Sequence, residues 1–335
     1  MTREGSSLSD WSLFWFRMKS ERPLVSVIIR CFNREDTLER AIRSVLAQTL
    51  LDYELIVIDD GSTDGSAEIA RKCSGVKYFY QENEGLAGAR ESGLRQASGT
   101  YVAYLDADDF WDENYLKDAV DALVALPVDF VFSNWRTRGP GVTDEEKIEL
   151  HRLSYLPSPE GHESSPWQVL SADKTREIFM AHQPAAPSGT VFRRELLSLG
   201  YNTRAVSADD WVALLGVILD YQVSCAFRLE QAWTRWIDGR NICEGTSDMG
   251  NRARNEIHDV EVILHQFDDR LSETEKRRFQ GMRRRSHFDL GHILSKSGRP
   301  LEAMRHLLSA WEPASTLRVT VSLLKVPLNW VRNWF

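Results

Sequence analysis

The stretch that decides the fold is Tyr101–Trp111, with the sequence YVAYLDADDFW. Its first five residues are apolar, and a short apolar run of this kind predicts a buried β-strand. The run ends in three acidic residues, Asp106, Asp108 and Asp109. Because open α/β sheets bind ligands beyond the carboxyl ends of their strands, this pattern predicts a ligand site where the strand ends.

Asp106 and Asp108 have a spacing that suits metal binding. In an extended chain the side chains of residues i and i+2 lie on one side, so both carboxylates face a common point. A hard divalent cation such as Mg2+ or Mn2+ takes oxygen ligands and keeps positions open for water and phosphate oxygens. The alternative is an acidic cluster that caps the next helix, a role that Asp112 is also placed to fill.

Strands and helices alternate on the N-terminal side of this stretch. The predicted strands are 24–29, 53–58, 76–80 and 101–105, and the predicted helices between them are 36–48, 65–73 and 86–96. This alternation predicts an α/β fold with a largely parallel, Rossmann-like sheet flanked by helices. Right-handed crossovers would then bring the loops after residues 29, 58 and 105 to one edge of the sheet.

Two common phosphate-binding loops are absent from the sequence. Residues 30–33 follow the first strand without a G-x-G-x-x-G pattern, and no G-x-x-x-x-G-K-[ST] pattern occurs. Strand ends that are acidic instead of glycine-rich imply that a metal, more than backbone N–H groups, holds any phosphates.

The composition narrows the class of protein. The chain has 335 residues with a formal charge of -8, which argues against a nucleic-acid partner. Its four cysteines lie far apart without a C-x-x-C pair, as expected for free thiols in a reducing, cytoplasmic compartment. No apolar run reaches the length of about 18 residues that a transmembrane helix needs.

Both termini are rich in tryptophan. Trp11–Phe16 lies in an N-terminal segment, 1–22, and after Glu312 the chain carries basic and aromatic residues without another acid. Segments of this kind lie in a membrane interface or pack on the protein. Peripheral contact with the inner face of the cell membrane is therefore one of two expectations.

Several linked motifs support a family assignment. They are Val25–Ile29, Phe32–Arg34, Ser44–Thr49, Glu54–Gly65, Gln81, Asn83, Gly85, Ala87, Ala89, Arg90 and Leu105–Asp109. In this order they resemble a family 2 glycosyltransferase, closely over residues 23–125 and more loosely over 187–243. The resemblance implies an A-type glycosyltransferase fold, a nucleotide-sugar donor with UDP as the favoured nucleotide, and inversion at the anomeric carbon.

The resemblance also implies roles for individual residues. Asp60 would hydrogen-bond the nucleobase, with Asp59 beside it, and Phe32 would stack near the base. The alternatives are a turn and capping role for the two acids and a core position for Phe32. The implied donor-binding residues are Arg30, Phe32, Asn33, Asp59, Asp60, Asn83, Arg90, Asp106, Ala107, Arg235 and Arg240, and the implied metal ligands are Asp108 and Asp106.

The chain departs from the family pattern at two places. Arg30 stands where the family usually has Pro or Thr, which leaves the choice of nucleotide open. In the segment 233–243, Asp238 takes the usual His position and Cys243 replaces Ser. These changes predict an unusual donor or weakened activity.

The predicted catalytic residues lie in Ser207–Trp211, at the start of an apolar helix over 212–219. Asp209 and Asp210 match the Glu-Asp pair of the family, which makes Asp210 the candidate general base and Asp209 its partner. A helix N-terminus favours the carboxylate form. The alternative is that both acids cap the helix.

The second half predicts an acceptor-binding region. A helix over 112–125 and a strand over 128–132 precede an irregular segment, 136–182, that would carry acceptor loops. His151, His162 and His182 are expected at the surface. The predicted organisation is an N-terminal segment 1–22, a catalytic domain 23–245 with halves 23–132 and 133–245, and a helical region 246–335.

These inferences predict an inverting, metal-dependent glycosyltransferase. It would move a sugar from a nucleotide-sugar to a saccharide or lipid-linked acceptor in cell-surface polysaccharide synthesis. A catalytically inactive nucleotide-sugar or glycan-binding module of the same fold is the alternative. A sugar-nucleotide pyrophosphorylase would need a glycine-rich phosphate loop near the N-terminus, which the sequence lacks.

Overall fold

The computed structural model describes residues 22–140, 142, 156, 165–202, 204–239, 249–311, 319, 320, 322, 323 and 326. The predicted N-terminal segment up to residue 21, Arg240, Cys243, His151 and His162 lie outside the described residues, as does most of the tryptophan-rich C-terminal end. Within the described part, no helix has the length and apolar character needed to cross a membrane. Cys31, Cys73 and Cys225 are free thiols, as predicted.

The described elements follow in chain order. The strands are β1 Val25–Cys31, β2 Tyr53–Asp60, β3 Val76–Gln81, β4 Tyr101–Asp106, β5 Phe110–Trp111, β6 Phe130–Arg138, β7 Gln168–Leu170, β8 Thr190–Arg193 and β9 Cys225–Trp236. The helices are α1 Leu38–Leu46, α2 Ser66–Lys72, α3 Gly85–Gln96, α4 Tyr115–Ala125, α5 Ala172–Phe179, α6 Asp209–Asp220, α7 Met249–Gln266, α8 Glu273–Lys296 and α9 Pro300–Ser309.

These strands form one nine-stranded sheet in the order β3-β2-β1-β4-β8-β6-β9-β5, with β7 added on β9. The first four strands are parallel, as the alternation of strands and helices predicts. Beyond β4 the sheet becomes mixed, because β8 is antiparallel to both β4 and β6.

Helices cover both faces of the parallel half. Ile28 on β1 packs in the cluster that contains residues of α3, whereas Val27 on the opposite face packs with Leu38 of α1. Strands buried on both faces are largely apolar, which is why β1 is apolar apart from Ser26 and Arg30. Gly93 allows α3 to lie close to the sheet, since a Cβ there would be 2.4 Å from Ile28 Cγ2.

The strand register brings the predicted site residues to one edge. Arg30 on β1 lies opposite Asp106 on β4, and Cys31 lies opposite Asp59 on β2. The carboxyl ends of three neighbouring strands therefore meet, as expected for parallel strands of similar length.

The second half is more ordered than predicted. The segment expected to be irregular contains the end of β6, all of β7 and α5, and the strand expected at 128–132 extends to Arg138. Strand β9 was also missed: its pairing with β6 has register shifts near Asn134, where the side chain donates to Leu229 O. Such a bulge interrupts the period-2 pattern by which a strand is recognised.

The start of α4 also differs from the prediction. Asp112 does not cap this helix, which begins at Tyr115 after Asn114, because its carboxylate pairs with Arg136 of β6. The carboxylate that the sequence predicts at a helix terminus is thus paired with an arginine from a distant strand.

The helical region contains a hairpin of α8 and α9. Ser272 and Glu275 form a capping box at the start of α8. Val319 and Val326, from the C-terminal end, are buried with Ala303 and Leu307 of α9. In the described residues, this end therefore packs on the helical region.

Candidate active site

A cleft of about 440 Å³ opens at the carboxyl edge of the parallel strands. Its lining comes from the strand ends, the segment 181–188, the start of α6 and one face of α7. A second depression, of about 580 Å³, lies beside α4, but its Asp118 is paired with Arg228. Of the predicted acidic residues, Asp106, Asp108, Asp209 and Asp210 line the first of these two cavities, whereas Asp59 and Asp60 line neither.

Asp106 is held by two arginines. Its Oδ1 lies 3.3 Å from Arg30 Nε and 3.1 Å from Arg90 Nη2. Burial acts to raise the pKa of Asp106, but the positive charges of Arg30 and Arg90 outweigh it, so the pKa lies below its ordinary value. Asp106 is therefore an ionised carboxylate with two cationic partners at the floor of the cleft.

Asp108 is less well compensated. Its Oδ2 lies 3.3 Å from Arg34 Nη2, yet burial and the nearby charge of Asp106 raise its pKa. Asp109 also lines the cleft, and it accepts hydrogen bonds from Ser188 Oγ at 2.6 Å and Trp236 N at 3.1 Å. Asp109 thus joins the strand end to the segments that form the opposite wall.

Two carboxylates lie beside Arg34. Asp108 and Asp238 both lie near this guanidinium, at 3.3 and 4.0 Å. The described residues contain no group of three or more His, Cys, Asp or Glu side chains that would hold a metal alone. Mg2+ commonly uses one or two carboxylates together with substrate phosphates and water, so Asp108 with Asp106 suits a cation that arrives with a diphosphate.

The loop after β1 is fixed to the loop after β2. Asn33 has a left-handed backbone with φ 52°, and its side-chain oxygen accepts from Thr63 N at 2.8 Å. Its own N–H donates to Ser62 Oγ. The neighbouring Phe32 is 42% exposed, so the alternative of a core position for Phe32 is wrong.

Asp59 and Asp60 are buried and have partners within the chain. Asp59 accepts from Ser62 N at 2.8 Å and from the Tyr78 hydroxyl at 2.7 Å. Asp60 accepts from Gln81 Nε2 and Glu84 N, both at 2.8 Å. These bonds shape the turn after β2 and hold the exposed loop that carries Asn83. Recognition of a nucleobase by Asp60 stays a prediction.

Arg90 connects the two groups of predicted acids. It is 3% exposed and donates from Nη1 to Asp209 Oδ2 at 2.6 Å and from Nη2 to Asp106 Oδ1 at 3.1 Å. The resemblance implied a donor-binding role, but in the structure both bonds go to carboxylates of the protein. Arg235 lines the cleft and adds positive charge near Asp106, whereas Ala107 is buried and does not line the cleft.

Asp210 lies at the rim of the cleft, in the first turn of α6. Gln183 Nε2 donates to its Oδ2 at 2.8 Å. Burial, and then repulsion from Asp209, raise the pKa of Asp210 to about 7 against the attraction of Arg90. A carboxylate with a pKa near the operating pH is suited to general-base catalysis. Asp209, by contrast, is fully buried against Arg90.

Sequence reasoning missed three residues of the site. Gln183 lies in a segment without a recognisable motif, and Asp259 lies in a helix with ordinary periodicity. Ser188 lies in the part of the chain that resembles the family loosely, but no role was predicted for it. His182 is exposed, as expected, but it stands at the cleft rim. Nothing local in the sequence marks these positions, because their partners are distant along the chain.

A parallel half-sheet with acidic strand ends, continued by mixed strands that close a cleft, is the arrangement of an A-type glycosyltransferase. The family model for glycosyl transferase family 2 matches residues 26–198, about half of the chain, and the chain belongs to this family.

Curated relatives match part of the chain. The cholesterol galactosyltransferase of Borreliella burgdorferi is 44% identical over 139 residues, which cover 40% of this chain and 37% of the relative. The putative teichuronic acid biosynthesis glycosyltransferase TuaG of Bacillus subtilis is 35% identical over 136 residues, covering 39% of this chain and 54% of the relative. The chain thus spans about half or less of the length of these relatives.

Solved structures share the fold over most of the chain. Staphylococcus aureus TarS superposes with a TM-score of 0.58 at 17% identity, covering 91% of this chain and 54% of TarS. The mannosyltransferase PcManGT of Pyrobaculum calidifontis, solved with GDP-Man and Mn2+, gives a TM-score of 0.54 at 22% identity. That alignment covers 98% of this chain and 89% of the mannosyltransferase.

Proposed function

We propose that the protein is an inverting, metal-dependent glycosyltransferase that moves a sugar from a nucleotide-sugar to a hydroxyl of a saccharide or lipid-linked acceptor. The observation that carries this proposal is the convergence of Asp106, Asp108 and Asp210 on one cleft. Complexes of TarS with UDP-GlcNAc and of PcManGT with GDP-Man support a nucleotide-sugar donor.

Asp210 would act as the general base. An acceptor hydroxyl at the cleft rim would attack the anomeric carbon from the face opposite the nucleoside diphosphate, and Asp210 would take its proton. Gln183 would hold the carboxylate in place through its bond to Oδ2. A single base on the face opposite the leaving diphosphate is consistent with inversion.

The opposite side of the cleft would hold the diphosphate. Arg30 and Arg235 lie beside Asp106 and supply positive charge. Asp108 and Asp106 would bind Mg2+ or Mn2+, and such a cation, when bound, stabilises the negative charge of a departing phosphate as a Lewis acid. Phe32 would stack on the base, and Asp60 and Asn83 would lie beside it.

UDP is the nucleotide that we propose first, and cell-surface polysaccharide synthesis is the proposed context. The role of a relative in teichuronic acid biosynthesis supports this context. A lipid-linked acceptor would place the enzyme in the cytoplasm against the membrane. The proposed catalytic unit is 23–245, with 246–335 as the helical region.

A ligand screen tests the proposal. Thermal shift of the full chain with UDP-sugars and GDP-mannose, with and without Mn2+, identifies the donor, because a ligand of the folded state raises the melting temperature. Mn2+-dependent hydrolysis of that donor then tests for turnover. A protein that binds a donor but never cleaves it would be the inactive binding module.

Two variants sharpen this test. Asp210→Asn keeps the size of the side chain but removes the base, so donor affinity should persist while transfer is lost. Asp220→Asn, at the other end of α6, is the matched control and should retain transfer. Retained transfer in Asp210→Asn would remove this residue from the base role.

A further inference from the structure

One face of α7 lines the cleft beside the candidate base. Arg252, Asn255, Glu256 and Asp259 all contribute to the lining, and their spacing of three and four residues places them on one side of the helix. This face is polar at its N-terminal end and becomes buried toward Asp259. The region that sequence analysis treated as an appendage therefore forms a wall of the site.

Asp259 binds the segment that immediately precedes Asp209 and Asp210. Its Oδ1 accepts from Val206 N at 2.7 Å. Its Oδ2 accepts from Ser207 N at 2.9 Å, from Ser207 Oγ at 2.7 Å and from Ala208 N at 2.9 Å. Asp259 is 2% exposed, so these four bonds are made away from water.

The hydrogen bonds to Asp259 all come from the segment that immediately precedes the candidate base. A buried carboxylate is unfavourable unless hydrogen bonds compensate its desolvation, and all four of these bonds come from residues 206–208. Bonds from backbone N–H groups to a carboxylate are short and directional, so they define the position of the backbone that donates them. The position of α7 thus determines where Asp210 stands.

The exposed part of the same face has groups that recognise sugars. Arg252 and the Asn255 amide donate hydrogen bonds, while Glu256 and the Asn255 oxygen accept them. Trp211, at the start of α6, borders the lining but is only 6% exposed, because its ring packs against Phe279. Interleaved donors and acceptors of this kind suit the hydroxyl groups of a saccharide.

We propose that α7 completes the active site by two means. Arg252, Asn255 and Glu256 form the wall against which the saccharide part of the acceptor lies, and Asp259 is a positioning residue for Asp210. This inference rests on the proposed function, since it assigns the acceptor side of the same cleft.

The first experiment separates acceptor binding from donor chemistry. Hydrolysis of the donor by water needs no acceptor, whereas transfer to free saccharides such as N-acetylglucosamine, galactose and glucuronic acid does. For the Arg252→Ala/Asn255→Ala double variant we expect acceptor KM to rise about tenfold or more, equivalent to about 1.4 kcal/mol. Donor hydrolysis should stay within about twofold of wild type, because the strand-end residues are unchanged.

Arg254→Ala and Glu261→Gln are the matched controls, because these residues lie on the same helix outside the cleft lining. An unchanged acceptor KM in the double variant, or an equal loss of hydrolysis and transfer, would overturn the acceptor wall. If the wall contacts only the saccharide part, the double variant should raise the KM of a lipid-linked saccharide by the same factor as that of the free sugars. A wild-type protein without donor turnover would instead refute the proposed function itself.

The second experiment tests Asp259. Asp259→Asn places an NH2 group against the backbone N–H donors of residues 206–208, so this segment should shift. We expect kcat for transfer to fall at least about tenfold with little change in donor KM. Burial raises the pKa of Asp210 more than Arg90 lowers it, so a shift of this carboxylate toward solvent should lower the apparent pKa of the acid limb.

Asp268→Asn, exposed at the end of α7, is the control for Asp259→Asn and should match wild type. Asp259→Glu should recover part of the kcat, because it restores an acceptor. If Asp259→Asn does not fold, Ser207→Ala removes one of the four bonds from the other side and should lower kcat in the same direction. A wild-type kcat and pH profile in folded Asp259→Asn would refute the positioning role.

Discussion

Individual side chains of this site differ in the environments that set their charge. Asp106 and Asp210 are both carboxylates in one cleft, but arginines lower the pKa of the first while burial raises that of the second. Such a division gives one group that stays ionised beside phosphates and another that exchanges protons near neutral pH. The charge of Arg90, directed at Asp209 and Asp106, leaves Asp210 less compensated.

The pH dependence of transfer follows from Asp210. A general base works only when deprotonated, and its pKa is raised to about 7. We therefore expect kcat/KM for transfer to rise with pH through about 7 and then to level off. Initial rates measured from pH 5 to 9 check this, and a rate that is already at its plateau at pH 5 would contradict it.

Asp108 is expected to act through the cation. Its carboxylate is buried and its pKa is raised, so a divalent cation would favour its ionised form. Asp108→Ala should weaken Mn2+-dependent donor binding by about tenfold or more, equivalent to about 1.4 kcal/mol. Isothermal titration of the donor with and without Mn2+ measures both affinities.

Asp121→Ala, an exposed position on α4 paired with Lys117, is the control for Asp108→Ala and should leave donor binding unchanged. Donor binding without metal should change less in Asp108→Ala, because Arg30 and Arg235 remain. An equal loss of affinity in the presence and absence of Mn2+ would show that Asp108 does not act through a cation.

At the scale of elements, the site depends on α3, β4 and α6 being joined. Arg90 lies on α3, and its guanidinium bridges the end of β4 and the start of α6. The two acids that it joins belong to the donor side and the base side of the cleft. The buried guanidinium of Arg90 thus fixes the distance between the proposed donor side and the proposed base side of the cleft.

Removal of the Arg90 guanidinium should strongly lower the free energy of unfolding. Arg90→Met leaves Asp209 buried without its partner, and breaking a buried ion pair in this way typically costs about 3–5 kcal/mol. Arg95→Met, on the same helix but exposed and paired with Glu91, should change the free energy of unfolding by less than about 1 kcal/mol. Urea unfolding of both variants measures this difference, and equal stabilities would contradict the bridging role.

At the scale of the whole molecule, the helical region shares a core with the sheet. Phe267 and Phe279 are fully buried and belong to the same apolar cluster as Phe132 of β6 and Val212 of α6. The boundary that sequence analysis predicts near residue 245 therefore cuts through a continuous core. Domains that fold alone have cores of their own, so we expect the proposed catalytic unit 23–245 to depend on the helical region for its stability.

A truncated chain tests the shared core. Residues 1–245 lack the helices that cover α6 and also lack Asp259, so we expect loss of cooperative thermal unfolding and aggregation of the purified fragment. Differential scanning calorimetry and size-exclusion chromatography beside the full chain check this. A monomeric fragment that unfolds cooperatively near the melting temperature of the full chain would contradict the prediction.

The parallel half of the sheet could be read from the sequence because its signals are local. Apolar runs such as Val25–Cys31, followed by helical spacing and turn residues, define β1 to β4 within a few residues. Because β2 and β4 are both parallel to β1, their acidic carboxyl ends then lie at the same edge of the sheet. The second half could not be read in this way, since β9 has a bulged pairing and β7 has only three residues.

The sequence by itself determined which residue types stand at the strand ends, and hence that carboxylates and arginines gather at one edge of the sheet. Only the tertiary structure decided how they pair. Arg90 meets Asp209 across 119 positions of the chain, and Asp259 holds a segment about 50 residues away. Local periodicity determines the elements, whereas such contacts arise when the chain packs back on itself, and no nearby residue pattern records them.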